Sequence, residues 1–177
     1  LPEVRREVAA FTERRIGVSY DPMKEIVITV GGSEAIDIAL RAMLDPGDEV
    51  LIPQPSYVSY PPCTILAGGV PVSIQLEEKD QFRLTKEKLL AAITPKTKVL
   101  ILPFPNNPTG AIMERKDLEA IAKVIEEKDI FDCALRMASE KMEIRVGSQM
   151  WKKVKEVTNQ QIRKFLSDFE DLRTRMG

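Results

Sequence analysis

Three short stretches of this chain carry residues that could do chemistry. Phe104-Pro105-Asn106-Asn107-Pro108-Thr109-Gly110 follows the apolar run Val99-Leu100-Ile101-Leu102. Two prolines and a glycine stiffen that loop around Asn107, whose amide can donate or accept a hydrogen bond. The Asn107-Pro108 bond is of the kind that adopts cis most readily. Gly31-Gly32-Ser33-Glu34 stands between a β-rich run and a helical pattern. Glycines let an anion approach the backbone there, and the first N–H groups of the helix, with the Ser33 hydroxyl, would point at it. Tyr57 follows Pro55-Ser56 after a second apolar run and offers a ring that could stack on a flat heterocycle. Each has a plain structural alternative: a Pro-rich turn, a serine N-cap, a half-buried packing tyrosine. Taken together, an anion cradle, a stacking ring and an amide donor suit a phosphorylated aromatic cofactor.

What the chain lacks narrows its chemistry. Its 177 residues contain no histidine, which excludes a Ser-His-Asp triad, a Cys-His pair and histidine metal sites. Acid–base work would fall to carboxylates, lysine, tyrosine or a cofactor. No metal site is expected. A net charge of −1 gives no bulk attraction for nucleic acid or an anionic membrane. No apolar run approaches the ~20 residues of a membrane span, and the opening Leu1-Pro2-Glu3-Val4-Arg5-Arg6-Glu7 does not read as a signal peptide. Cys63 and Cys133 are too few for a disulfide framework, so a cytoplasmic setting is expected.

The elements that must position these residues can be read from the punctuation. All 12 prolines lie at or before Pro108, and beyond Gly110 only Gly147 and Gly177 remain. The first part alternates. Residues 2–15 form a helix with Val4, Val8 and Phe11 on one face, followed by the β-rich Ile26-Val27-Ile28-Thr29-Val30. A helix with Ile36, Ala39, Leu40 and Met43 inward leads to the turn Asp45-Pro46-Gly47-Asp48 and a strand at Val50-Leu51-Ile52. A short helix after Tyr57 stops at Gly68-Gly69, and a strand runs from Val70 to Leu76. A helix over Leu84–Ile93 carries Thr85 as N-cap, a strand covers Lys98–Leu102, and an amphipathic helix covers Glu114–Lys128. This is the pattern of an α/β fold with a mainly parallel sheet and helices on both faces. Ligands bind beyond the carboxyl ends of such strands, so the three stretches should converge on one rim. The last stretch reads as helical instead. Phe131, Leu135, Ala138 and Met142 have helical spacing. From Trp151 through Val154, Thr158, Ile162, Phe165, Phe169 and Leu172 to Met176 the apolar steps are mostly three and four. That seam suits either this protein's own core or a helix of another chain.

The segments Leu1-Pro2-Glu3-Val4-Arg5, Ile28-Thr29-Val30-Gly31-Gly32-Ser33-Glu34-Ala35, Leu44-Asp45-Pro46-Gly47-Asp48-Glu49-Val50, Pro55-Ser56-Tyr57-Val58-Ser59-Tyr60-Pro61, Ala67-Gly68-Gly69 and Asn106-Asn107-Pro108-Thr109-Gly110 stand in a telling order. From residue 1 to about 129 the chain resembles the large domain of the fold-type I pyridoxal-phosphate (PLP) aminotransferases, near their aspartate/aromatic group. The resemblance implies that Gly32, Ser33 and Glu34 cradle the phosphate, Glu34 through its backbone N–H alone. It implies that Tyr57 stacks on the pyridine ring and that Asn107 hydrogen-bonds the ring's phenolic oxygen. It also implies cis bonds before Pro55 and Pro108, transfer of an amino group between an amino acid and a 2-oxo acid, and a homo-oligomer.

The resemblance has gaps. The family's Asp-x-x-Tyr on the next strand, its cofactor-carrying lysine in a Ser-x-x-Lys-like segment, and its substrate-binding arginine find no match after Asp129-Ile130. Asp132 is followed by Cys133-Ala134-Leu135, and Ser148 and Lys152 are one residue too far apart. Lys96 and Lys98 read as surface charges. No catalytic residue can therefore be named, and impaired turnover is expected. The chain reads as a truncated large domain over 1–129 and a helical tail over 130–177. A non-catalytic scaffold or self-association module is the alternative.

Overall fold

A computed structural model describes residues 2–138 and 141–146 of the protein. The chain divides into two compact units, residues 1–35 and 36–177.

The first unit holds helix α1 (Pro2–Ile16), a connecting stretch and the first turn of α2 (Gly32–Met43). Pro2 opens α1, where its missing N–H costs nothing. Gly17 closes it with φ +68°, and its N–H bonds Glu13 O at 2.9 Å. The buried residues of α1 are Ala9 and Thr12, whereas Val4 and Phe11 are exposed. The expected Val4–Val8–Phe11 stripe is thus not the buried one. Asp21 organises the next turn, its Oδ1 accepting from Met23 N at 2.8 Å while Glu25 Oε2 accepts from Asp21 N. Ile26–Val30 does not become a strand: it joins no ladder among the described residues, and Val30 is 99% exposed. β-propensity is fitness for a paired, half-buried surface, and without a partner strand it fixes nothing.

The second unit is a five-stranded sheet in the order β2-β1-β3-β4-β5. Strands β1 (Glu49–Gln54), β2 (Val70–Gln75), β3 (Thr97–Leu102) and β4 (Phe131–Ala138) are parallel, and β5 (Lys141–Val146) runs antiparallel to β4. Helices α3 (Tyr60–Leu66), α4 (Lys86–Ala92) and α5 (Arg115–Lys128) fill the connections. Pro61 and Pro62 lie in the first turn of α3, where proline is tolerated. Thr85 caps α4 as expected, its hydroxyl accepting from Lys88 N at 3.3 Å. Glu114 and Asp117 form a capping box at α5, and Arg83 clamps that corner from Nη1 to Asp117 Oδ2 at 3.1 Å.

The parity of the central strands splits the core in two. Val50 and Ile52 of β1 and Val99 and Ile101 of β3 pack with Ile36, Leu40 and Met43 of α2 and Tyr60 and Cys63 of α3. Leu51 and Leu100, one residue out of phase, pack with Leu89 of α4 and Ile121, Val124 and Ile125 of α5. Successive strand residues point to opposite faces, so an unbroken apolar run is what a doubly covered parallel strand requires. Each such side chain, fully buried, contributes about 1.5–3 kcal/mol.

The helical expectation for residues 131–138 and 141–146 is overturned. Phe131–Ala138 and Lys141–Val146 are paired strands, with Cys133 opposite Val146 and Ala138 opposite Lys141. Lys141-Met142-Glu143-Ile144-Arg145-Val146 alternates charged and apolar at every step, a period of two that the three-and-four spacing of Phe131, Leu135, Ala138 and Met142 had obscured. The parallel pairing of β4 with β3, from Val99–Phe131 to Leu102–Ala134, settles the competition. An unpaired edge of β3 would leave a row of backbone groups without partners. The seam from Trp151 to Met176 lies outside the described residues.

Candidate active site

Strand β1 is where the connections change sides. From β1 the chain passes through α3 to β2 on one flank, then returns through α4, on the opposite face, to β3 on the other flank. The gap between the carboxyl ends of β1 and β3 is the switch point at which open α/β sheets bind ligands. The loops that border it are Pro55–Ser59 and Pro103–Gly110, the stretches that carry Tyr57 and Asn107.

The loop after β1 turns at the cis Gln54–Pro55 bond, and Ser56 N donates to Gln54 Oε1 at 3.0 Å. Tyr57 is half-buried against the α2/α3 core, its ring 5.7 Å from that of Tyr60 at an interplanar angle of 75°. Tyr60, only 2% exposed, is a fixed edge-on neighbour. Ser56 Oγ is buried without a hydrogen-bond partner among the described residues.

The loop after β3 contains two more cis bonds, Phe104–Pro105 and Asn107–Pro108. The cis bonds before Pro55 and Pro108 are those the resemblance implied. Gly110, at φ +70°, lets the chain close on itself: Gly110 N bonds Asn106 O at 2.8 Å, and Asn106 N bonds Ala111 O at 2.8 Å. Asn107 is exposed at the tip. Its neighbour Asn106, passed over in the sequence, is buried and makes the contacts. Asn106 Oδ1 accepts from Thr109 N at 3.4 Å and Thr109 Oγ1 at 3.1 Å, and Asn106 Nδ2 donates to Pro55 O at 3.1 Å. That last bond joins the two loops across 51 positions of sequence. The available signal was Thr109, three residues after Asn106, a spacing at which an asparagine side chain organises a turn.

Gly32, Ser33 and Glu34 lie in the first unit, as the first three residues of α2. Their N–H groups are those a helix cannot pair internally. Glu34 uses its carboxylate locally, accepting from Val30 N, and Thr29 Oγ1 donates to Gly31 O at 2.9 Å. These two bonds brace the turn before α2. The structure links the loops of Tyr57 and Asn107 through Asn106, and it describes the Gly32–Glu34 corner within its own unit.

The two linked loops contain no Asp, Glu, Lys or Arg between Gln54 and Tyr60 or between Pro103 and Ala111. They can shape, stack and hydrogen-bond, but they hold no carboxylate or amine to move a proton. The displaced pKa values lie elsewhere. Lys79 and Lys88 hold the Glu77 carboxyl down at about 2 by hydrogen bonds, and burial raises the Cys63 thiol. Among the described residues no cluster could hold a metal ion.

Residues 1–131 match the family described as "Aminotransferase class I and II". The chain belongs to this family. It is 45% identical over 130 residues to an aspartate aminotransferase of Pyrococcus abyssi, covering 73% of this chain and 33% of that one. It is 45% identical over 128 residues to aromatic-amino-acid aminotransferase 2 of Thermococcus litoralis, covering 72% and 33%. Its fold resembles the crystal structure of an aromatic aminotransferase from Pyrococcus horikoshii, with TM-score 0.73, 42% identity and coverage of 76% of this chain and 36% of that one. It also resembles an aspartate aminotransferase from Thermus thermophilus with maleate, at TM-score 0.71, 40% identity, and 76% and 35% coverage. The chain spans about a third of the length of these relatives.

Aminotransferases of this class are generally PLP-dependent. Within the second unit the residues suit the ring of that group, with a tyrosine ring for a planar heterocycle and an exposed amide for a phenolic oxygen; the first unit, taken by itself, offers helix N-terminal amides and a hydroxyl of the kind that suit a phosphate. The Ser56 hydroxyl, buried without a partner among the described residues, marks a loop whose polar groups those residues do not fully satisfy.

Proposed function

We propose that this chain is the cofactor-holding part of an aminotransferase acting on an amino acid and a 2-oxo acid. Gly32, Ser33 and Glu34 would hold the PLP phosphate, Tyr57 its ring and Asn107 its phenolic oxygen. Bound there, PLP supplies the electron-accepting ring on which amino-group transfer depends. The observation that carries this reading is the meeting of the Tyr57 and Asn107 loops at the β1/β3 switch point within a family match over residues 1–131. The chain's own residues bind and orient. None matches the lysine that moves the proton, so turnover by this chain alone falls by the roughly 10²–10⁴-fold that positioned acid–base catalysis contributes, or more. The protein works in the cytoplasm as a homo-oligomer, with residues 1–129 as the PLP-binding part and β4 and β5, beyond it, extending the same sheet.

The test is equilibrium dialysis against PLP. Wild type retains it, and Asn107→Ala weakens Kd by about 10–100-fold, the worth of a hydrogen bond to a charged oxygen. Tyr57→Ala weakens it by about tenfold. Absence of retention, or variants that bind like wild type, overturns the assignment.

A second reading draws on the family match ending at residue 131 while the described sheet continues through β5. Here the aminotransferase part is a scaffold and the tail a self-association module. Sedimentation of the chain with and without residues 148–177 separates the two: loss of an oligomer on removal favours the scaffold, and an unchanged monomer removes it.

A further inference from the structure

We propose that Asn106 is the positioning residue of this site: its amide clamps the loop after β3 to the loop after β1 and so fixes where Asn107 and Tyr57 stand relative to one another. The ligand half of this inference rests on the function proposed above; the clamp itself rests on geometry alone. Asn106 is 4% exposed, in a loop whose neighbouring residues Pro105 and Asn107 are exposed. A buried primary amide on a surface loop is costly unless its donors and its acceptor are used. Here both ends of the side chain are engaged. Oδ1 takes two bonds from Thr109, which shape the loop from within, and Nδ2 gives one to Pro55 O, which ties it outward. The backbone N–H and C=O of Asn106 are used as well, by Ala111 and Gly110. The residue on its carboxyl side is Asn107, and Pro55 is two residues before Tyr57. A shift at the clamp therefore reaches both candidate contact residues within one or two residues of chain. In a binding site, displacement by a fraction of an ångström is enough to lose hydrogen-bond geometry.

A purely structural role would lower stability and leave the affinity of the folded protein alone, so the experiment pairs the two. Asn106→Ala is compared with Thr85→Ala, which removes the α4 cap and touches neither loop. Thermal unfolding, PLP dialysis and amide hydrogen exchange of the ligand-free protein are measured on both. The expected result is a 10–100-fold weaker PLP Kd for folded Asn106→Ala, with exchange at the Ser56 and Tyr57 amides at least tenfold faster. Thr85→Ala keeps the wild-type Kd and exchange at these amides. An Asn106→Ala protein that binds PLP like wild type overturns the proposal. If wild type itself retains no PLP, the proposed function fails, and the clamp is then decided by exchange alone: unchanged protection at Ser56 and Tyr57 refutes it. If Asn106→Ala does not fold, Asn106→Asp carries the same comparison. It keeps the acceptor for Thr109 and puts a carboxylate oxygen in place of the donor, so that the bond to Pro55 becomes a repulsion.

Discussion

Gly69→Ala tests how tightly the scaffold behind Tyr57 is built. Gly69 joins α3 to β2, and a Cβ added there would stand 2.8 Å from Leu44 Cδ1, 3.1 Å from Asp48 O and 3.2 Å from Thr64 Cγ2. The Leu44 methyl ends a side chain that can rotate, though it is buried. The other two are held. Asp48 O accepts from Val70 N at 2.8 Å, and Thr64, fully buried, donates from Oγ1 to Tyr60 O at 2.9 Å. Overpacking of this kind costs about 1–3 kcal/mol. Removing glycine's freedom from the unfolded chain returns about 0.4–1 kcal/mol. The net expectation is a loss on the order of 1–2 kcal/mol, or roughly 2–8 °C in Tm for a chain of this size. Urea unfolding followed by circular dichroism should show a lower midpoint with an unchanged slope. Combining Gly69→Ala with Leu44→Ala should cost less than the sum of the two by on the order of 1 kcal/mol, because the closest clash is gone. A Gly69→Ala protein as stable as wild type would refute the reasoning. It would mean that the wall formed by Leu44, Asp48 and Thr64 yields freely, and that Tyr60, hydrogen-bonded to Thr64, is no fixed backing for Tyr57.

Two further outcomes follow from the same packing and charges. Leu89→Ala opens a void in the α4/α5 core, where Leu89 is fully buried, and should cost about 2–5 kcal/mol by urea unfolding. Glu77, held at about 2 by Lys79 and Lys88, binds fewer protons in the folded state than its ordinary value of 4.5 would allow. Its contribution is therefore full above about pH 4.5 and is lost as pH falls toward 2. The stability gap between wild type and Glu77→Gln should close over that window, and at any pH it should shrink in about 1 M salt, because the pair is exposed.

Much of the second unit was legible because its signals are local. Proline and glycine mark where β1, α3 and β2 begin and end, Thr85 announces α4, and apolar runs of the right length become β1 and β3. The failures are places where the deciding partner is distant in sequence. Ile26–Val30 has a strand's composition, yet it is paired with nothing described. Residues 131–146 satisfy helical and strand periodicities at once, and the open edge of β3 decides between them. In the candidate site, Tyr57 and Asn107 could be named from their loops. Asn106 could not, because its role lies in a bond to a carbonyl 51 residues away.

The proposed function separates holding a cofactor from using it. Every residue assigned to binding lies at or before Asn107, in strand-end loops or a helix start whose geometry is set by neighbouring backbone: Glu34 back to Val30, Ser56 to Gln54, Asn106 to Pro55. Such corners need only the central strands and their helices to keep their shape. Proton transfer has a different requirement, a titratable side chain placed against the reacting atoms, and the two linked loops contain no carboxylate, lysine or arginine. On the proposed function, the loops described here would hold the cofactor without themselves moving the proton. In that case substitutions at Tyr57, Asn106 and Asn107 change affinity, and no single substitution among them creates or abolishes turnover. Were Asn107→Ala to alter a measurable transamination rate without altering PLP affinity, the separation would be wrong, because a residue assigned only to holding would be acting on the reaction itself.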